Sequence, residues 1–144
     1  HPLEAVAFFA LGVVAALGRA RVRSLSLLVA CDIHPLNNLR VLKYLKDPLG
    51  QTQEAIDAWY RHWCDEGLSA LEGELRDGRT GTYCHGEQVT MADACLVPQV
   101  FNAQRFAVDM SRYPSTMRIF DACMRLEAFQ KAQPSVQPEA ARAG

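Results

Sequence analysis

One stretch, Thr90 to Phe106, constrains the fold of this chain more than any other. Thr90 is followed three residues later by Asp93, an acidic variant of the capping box that begins α-helices. In that motif the hydroxyl accepts a hydrogen bond from a helical amide, and the carboxylate reaches back to the cap amide at the positive end of the helix dipole. Every residue from Ala94 to Val97 is apolar. A helix that is apolar on most of its faces is buried on most of them, so we expect a central helix with the other helices packed around it.

Capping accounts for the polar residues at the start of this helix. We therefore interpret Thr90 and Asp93 as structural residues, and the pattern assigns no catalytic role to the carboxylate. Pro98 lies inside the predicted helix, where it removes one backbone hydrogen bond and should bend the helix.

Composition bounds the class of protein. The length of 144 residues suits one domain, and 49% hydrophobic residues is typical of a globular chain. A net charge of −1 gives no bulk electrostatic basis for binding nucleic acid or an anionic membrane. The five cysteines are an odd number, and no two are spaced as CxxC. We expect reduced thiols in a cytoplasmic protein.

Helical periodicity covers most of the remaining chain. Gln53 to Leu75 repeats apolar residues at the helical period, which predicts one long helix. Pro35 favours a first helical turn, so a helix should kink or restart there, and Pro114 begins another. No alternating pattern of useful length predicts a strand. The sequence predicts an all-α fold with five to seven helices around the buried central helix at 90–106.

The beginning of the chain is an apolar run from Ala5 to Leu17, interrupted only by one glycine. Spanning a bilayer takes about 20 apolar residues, and the run lacks the basic flank of a signal peptide. We expect a buried or partner-covered helix, with a trimmed export segment as the alternative. Gly18 should break the run. The predicted divisions are therefore a segment of uncertain role at 1–17, a helical domain at 18–133 and a poorly ordered tail at 134–144.

Four polar residues are candidates for a binding site: His34, Asn38, Arg40 and Arg105. His34 and Asn38 share a helix face if the helix restarts at Pro35. The two arginines are suited to bidentate pairing with carboxylates, although a surface ion pair is the alternative for each. Bonding to the backbone at a helix end is the alternative for His34. No histidine is spaced from Cys, Asp or Glu as a metal ligand would be, so no metal is predicted.

Several motifs resemble the zeta class of glutathione transferases, and more closely the bacterial maleylpyruvate and maleylacetoacetate isomerases. In chain order they are DIHPLNNLRVLKYL, AWYRHW, GLSALEGEL, YCHGEQVTMADACLVPQVFNAQRF, VDMSRYPSTMRI and EAFQKAQPSVQP. The resemblance runs from about Gly18 to Pro138 and covers only the C-terminal helical domain of those proteins. It implies a helical bundle of the glutathione-transferase C-terminal type, with the thioredoxin-like domain absent from this chain.

The resemblance also implies a reaction and a set of site residues. Glutathione thiolate adds to the cis double bond of a dicarboxylic β-diketo acid, the bond rotates, and the thiolate leaves. By the pattern of the motifs, His34 and Asn38 bind glutathione, and Arg40 and Arg105 bind the substrate. No catalytic residue is assigned to this chain, because the thiol-activating residues of the family lie in the thioredoxin-like domain.

Three hypotheses follow for the chain as a whole. The first is the helical half of a glutathione-dependent isomerase, inactive alone, with a thioredoxin-like partner domain or in a homodimer. The second is a stand-alone helical module for interaction or dimerisation, in which residues 3–17 cover the exposed apolar surface or form a dimer contact. The third is that residues 1–17 are a frame-shifted or artificial start, because the chain lacks an initiator Met and the run departs from the family.

Overall fold

Six α-helices form the framework of residues 2–138, the part of the chain that the computed structural model describes. They are α1 (Pro2–Leu27), α2 (Leu39–Lys46), α3 (Gln53–Leu75), α4 (Met91–Arg105), α5 (Pro114–Met124) and α6 (Glu127–Lys131). Within these residues there is no strand, and only an isolated bridge joins Thr80 to Gly86. The predicted all-α fold is confirmed. None of the described helices combines the length and apolarity that crossing a membrane requires.

The capping box at the start of α4 is present as predicted. Asp93 Oδ2 accepts a hydrogen bond from the Thr90 amide at 2.8 Å, and Thr90 Oγ1 accepts from the Ala92 amide at 3.3 Å. The second carboxylate oxygen of Asp93 accepts from the Cys84 amide at 2.8 Å. Asp93 is fully buried, so one carboxylate caps the helix and also holds the preceding loop against it.

Only one face of α4 is covered. Its buried residues lie on a single side of the helix and pack into the core formed with α1, α3 and α5; they are Ala92, Asp93, Leu96, Gln99, Val100 and Ala103. On the opposite side Ala94 and Pro98 are exposed, and Val97 and Phe101 are half-buried. The predicted buried central helix is therefore present, but among the residues described it is buried along one side and not on most of its faces. On the other side α5, α6 and the beginning of the tail line an open cleft beside the helix.

Helix α1 continues through Gly18, so the predicted break there is wrong. A glycine inside a helix costs only about 1 kcal/mol, which a packed neighbour easily offsets. Here that neighbour is the ring of His85, because a Cβ on Gly18 would lie 3.1 Å from His85 Nε2. Upstream of Gly18, Leu11 and Val14 are about two-thirds exposed (69% and 67%), so this part of the apolar run is not buried. Coverage by a partner stays a prediction.

A change of helical pitch follows α1. The chain widens into a π-helical segment, Leu28–Ile33, and then tightens into a 3₁₀ turn, His34–Asn37, with Pro35 in its first positions. The predicted kink at Pro35 is present, but the α-helix restarts only at Leu39. Asn38 is extended, with ψ 145°, so the expectation that His34 and Asn38 share a helix face is wrong. Ile33 is fully buried against Gly67 of α3, where an added Cβ would lie 2.2 Å from Ile33 Cγ1. This close approach fixes the π-helical segment, and the turn that follows it, on α3.

The tail begins with local order. Residues Pro134–Val136 form a 3₁₀ turn, and Gln137 Nε2 donates to the carbonyl oxygens of Lys131 and Gln133 at 2.7 and 3.1 Å. Residues 139–144 of the predicted tail lie outside the described part of the chain.

Candidate functional site

Two of the predicted site residues, Asn38 and Arg40, lie at the start of α2, and a third, His34, lies in the turn before it. Asn38 is the N-cap of this helix, and its Oδ1 accepts a hydrogen bond from the Arg40 amide at 3.1 Å. Its oxygen is therefore occupied by the backbone, which leaves the Nδ2 hydrogens for a ligand. His34 begins the preceding turn, and both His34 and Arg40 are exposed.

Asn37, which the sequence reading passed over, holds this turn in place. It is buried, and its Nδ2 donates to the Tyr60 carbonyl oxygen at 3.2 Å and contacts Cys64 Sγ at 3.5 Å. One residue earlier, the Leu36 carbonyl oxygen accepts from Trp59 Nε1 at 2.9 Å. Both anchors belong to α3, so that helix sets the position of the whole turn. The sequence signal for this role was the Asn-Asn pair. Only its second residue can cap α2, which leaves the first for another contact.

Arg105, the fourth predicted residue, precedes a residue that contacts the same helix. It is exposed and ends α4, and the ring of the following residue, Phe106, stacks on Tyr60 at 3.5 Å with planes inclined by 6°. Burial and the neighbouring Cys64 raise the pKa of Tyr60 to about 12, while the Arg105 guanidinium acts in the opposite direction. The Tyr60 hydroxyl thus stays protonated at neutral pH, within electrostatic range of Arg105.

The two segments that carry the predicted site residues both contact Tyr60 of α3 through neighbouring residues. Asn37 ties the turn that carries His34 and Asn38 to the Tyr60 backbone, and Phe106 ties the end of α4 to the Tyr60 ring. Arg40 and Arg105 are exposed, and Asn38 is half-buried. Guanidinium groups and a side-chain amide are suited to an anionic ligand with hydrogen-bond acceptors.

The buried thiols do not supply a nucleophile. Burial raises the pKa of Cys64 to about 11 and that of Cys123 to about 12, and it raises the pKa of Cys84 as well. Cys64 Sγ also accepts from Gln99 Nε2 at 3.4 Å. These thiols stay protonated at neutral pH, which is the form that neither attacks an electrophile nor binds a metal. Among residues 2–138 no group of three or more His, Cys, Asp or Glu side chains is placed to bind a metal ion.

An apolar cleft of about 500 Å³ adjoins Arg105. It lies along the uncovered face of α4 and is closed on the far side by α5, α6 and the beginning of the tail. The residues that line it are Ala94, Val97, Pro98, Phe101, Asn102, Arg105, Phe120, Met124, Phe129, Ala132, Gln133 and Pro134. The cleft is apolar along α4 and polar only near Asn102, Arg105 and Gln133.

The helical bundle with its capped central helix defines a class of protein. The family model for the glutathione S-transferase C-terminal domain matches residues 53–128. The chain therefore belongs to the family of glutathione S-transferase C-terminal domains.

The proteins most similar to the chain place it, within this family, in the zeta class of glutathione transferases. The chain is 49% identical over 122 residues to a probable maleylacetoacetate isomerase of Vibrio cholerae. This match covers 85% of the chain and 56% of the relative. It is 46% identical over 125 residues to the maleylpyruvate isomerase of a Ralstonia species, covering 86% of this chain and 59% of the relative. The chain thus spans a little more than half the length of these curated relatives.

Solved structures agree with the fold. The crystal structure of maleylpyruvate isomerase from Pseudomonas aeruginosa superposes with a TM-score of 0.83 at 48% identity, covering 86% of this chain and 65% of that one. A maleylacetoacetate isomerase from Anaeromyxobacter dehalogenans with bound glutathione superposes with a TM-score of 0.79 at 41% identity, covering 85% of this chain and 55% of that one. The resemblance in sequence is confirmed by both comparisons.

Proposed function

We propose that this chain is the helical half of a glutathione-dependent cis–trans isomerase that acts on maleylpyruvate or maleylacetoacetate. The observation that supports this most is the meeting at Tyr60 of the turn that carries His34 and Asn38 with the end of α4 that carries Arg105. Relatives matched over this region are maleylpyruvate and maleylacetoacetate isomerases, and solved neighbours contain glutathione.

Each residue has a defined part in this proposal. The Asn38 amide and His34 hydrogen-bond the carboxyl and amide groups of glutathione, and Arg40 and Arg105 pair with the two carboxylates of the substrate. The glutathione thiolate adds to one carbon of the cis double bond, the remaining single bond rotates, and the thiolate leaves as the trans double bond forms. Glutathione is regenerated, so no other reactant is consumed. Ionisation of the thiol belongs to a thioredoxin-like half.

A titration tests the glutathione part. Adding glutathione to the isotope-labelled chain, up to millimolar concentration, should shift amide NMR signals at the turn that carries His34 and Asn38. We expect weak binding, because most of the peptide contacts belong to the other half. The Asn38→Asp variant keeps the helix cap but lacks the Nδ2 donor, so its shifts should disappear while α2 stays folded. Shifts that persist unchanged in this variant would contradict the assignment.

A turnover assay tests the substrate part. The chain alone should show no glutathione-dependent isomerisation of either substrate, and turnover should appear when a thioredoxin-like half from the Ralstonia relative is added. Arg40→Ala and Arg105→Ala should each lower kcat/KM by about 30-fold or more, because each removes one charge-assisted pair of about 2 kcal/mol. Arg76→Ala, an exposed arginine beyond the end of α3, is the matched control and should leave kcat/KM unchanged. Turnover by the chain alone would contradict the division of roles.

The exposed apolar side chains of α1 favour a second candidate, a helical interaction or dimerisation module. Leu11, Val14 and Leu17 are all more than half exposed, and they lie on the part of the helix upstream of Gly18. Exposed apolar side chains in such a row mark protein contacts. Light scattering on the eluting protein should give twice the chain mass if this region forms a homodimer, and Val14→Glu should restore the monomer. A monomer at high concentration would exclude self-association.

A further inference from the structure

A second groove, lined by basic side chains that the proposed function does not use, lies between α1 and the start of α4. Its volume of about 630 Å³ is within the range of small-molecule sites. Arg19, Arg23 and His85 line it together with apolar side chains. The groove adjoins Met91, the first residue of α4, whereas Arg105 is the last, so it is separate from the candidate site described above.

The two arginines of the groove have no partner in the fold. Arg19 and Arg23 are exposed and lie one turn apart on α1, a spacing at which like charges destabilise a helix. Within residues 10–138 no carboxylate lies within 4 Å of either guanidinium group. Arg21, between them in sequence, is buried instead. An anion placed between the two exposed guanidinium groups would relieve their repulsion and accept hydrogen bonds from both.

The carboxylates of the adjoining segment do not neutralise this pair, because each is engaged elsewhere. Asp77 pairs with the arginine two residues later in its loop, and Glu87 accepts a hydrogen bond from the Thr82 amide at 3.1 Å. The buried charge of Asp93 is matched by the buried charge of Arg21: both bond to the backbone of one loop residue, at 2.8 and 2.7 Å. The local charge of the groove is therefore positive.

Arg21 also decides which nitrogen of His85 faces the groove as a donor. A guanidinium group can only donate, so His85 Nδ1, 3.2 Å from Arg21 Nη1, is the acceptor and carries no proton. The proton of the neutral ring is then on Nε2. That atom lies against Gly18, where an added Cβ would be 3.1 Å from it, and it has no acceptor within residues 10–138. His85 thus gives the groove a third donor.

We propose that this groove binds an organic anion that carries a short apolar chain, with the anionic head held by Arg19, Arg23 and His85 Nε2. This site is independent of the proposed isomerase. A small polar anion would leave the apolar side chains of the groove in water, and a neutral apolar molecule would leave the guanidinium groups unpaired. The chain of the ligand lies on the apolar side chains that line the groove, which are Val14, Ala15, Val22 and Met91.

An NMR titration of the isotope-labelled 144-residue chain with octanoate tests the site. Amide signals around Gly18 and His85 should shift, and octanoate should bind at least about tenfold more tightly than acetate, which has the same head without the chain. Replacing both Arg19→Gln and Arg23→Gln should weaken octanoate binding by about tenfold or more. Arg125→Gln, at an exposed arginine outside the groove, is the matched control and should change the affinity less than about twofold.

A second variant tests the part assigned to His85. Asparagine in His85→Asn can still accept from Arg21 but has no donor at the position of Nε2, so octanoate binding should weaken about fivefold, the effect of one hydrogen bond. His62→Asn, at an exposed histidine of α3, should leave it unchanged. Circular dichroism checks that each variant is folded.

Several results would overturn the proposal. One is octanoate shifts that cluster at Phe101 and Arg105, which would place the ligand in the other cleft. Others are acetate binding as tightly as octanoate, an affinity that the double arginine variant leaves unchanged, and no shifts at millimolar octanoate. Loss of binding in the double arginine variant with full binding in His85→Asn would overturn the role of Nε2.

Discussion

Replacement of Asp93 by Asn probes the one carboxylate on which the central helix depends. Its two oxygens accept hydrogen bonds from the amides of Thr90 and Cys84, both at 2.8 Å, inside a fully buried site. An asparagine side chain is nearly the same shape but has one oxygen, so one of these amides would face an NH₂ group in place of an acceptor. The other amide would keep its hydrogen bond without the charge.

The magnitude follows from these two losses. A hydrogen bond to a charged group contributes about 1.5–3 kcal/mol, and a neutral one about half of that. Losing one acceptor and weakening the other should lower the free energy of unfolding by about 3 kcal/mol at neutral pH. For a domain whose total stability is about 5–15 kcal/mol, this is a large fraction. With a urea dependence of about 2 kcal/mol per molar, the unfolding midpoint should fall by about 1.5 M.

Urea unfolding followed by far-UV circular dichroism measures this change. Asp109→Asn is the matched control, because Asp109 also accepts from a backbone amide, that of Ser111 at 3.1 Å, but is exposed to solvent. Asparagine caps such a turn about as well as aspartate, so the control should lose less than about 0.5 kcal/mol. A loss below about 1 kcal/mol for the Asp93 variant, with an unchanged slope, would refute the argument that both amides depend on the carboxylate.

Two further predictions concern α3. Burial acts to raise the pKa of Glu72, but hydrogen bonds from the amides and hydroxyls of Thr116 and its neighbour outweigh it and lower the pKa. The stability that Glu72 contributes is therefore complete above its unfolded pKa of about 4.5 and is lost as the pH falls through the lower folded value. The free energy of unfolding, measured against pH, should fall less on acidification in Glu72→Gln than in the wild-type chain. An equal fall in both would contradict this. Gly67→Ala should destabilise by about 1–3 kcal/mol, because the new Cβ meets Ile33 at 2.2 Å, whereas Gly73→Ala, in open space on the same helix, should stabilise by about 0.5–1 kcal/mol.

Some features of the site could be predicted from local pattern, because they depend on residues close in sequence. The capping box needs only Thr90 and Asp93, and the interruption of the helix needs only Pro35. The motifs that carry the resemblance to the zeta class are likewise contiguous, and the comparisons confirm the family. The roles of His34, Asn38, Arg40 and Arg105 stay predictions, for which the assays above are the test.

Other features depend on which helices meet, and the local sequence pattern could not predict them. Asn37 and Asn38 are neighbours of the same residue type, yet one is buried against α3 and the other caps α2. Arg19, Arg21 and Arg23 alternate in one run, but only Arg21 is buried, where it donates to the Cys84 carbonyl oxygen at 2.7 Å. Residue type fixes what a side chain can bond to, while the partner is chosen by contacts across the fold.

The amino-acid sequence by itself determined the all-α class, the start of the central helix and the family, because helix caps and periodicity act over a few residues. The tertiary structure decided how much of α4 is covered and that the chain after α4 meets α3 at Tyr60, through Phe106. Burial is a property of the elements that surround a residue and not of the residue alone. An apolar face therefore predicts that something covers it, and only the arrangement of the helices distinguishes the covered face from the open one.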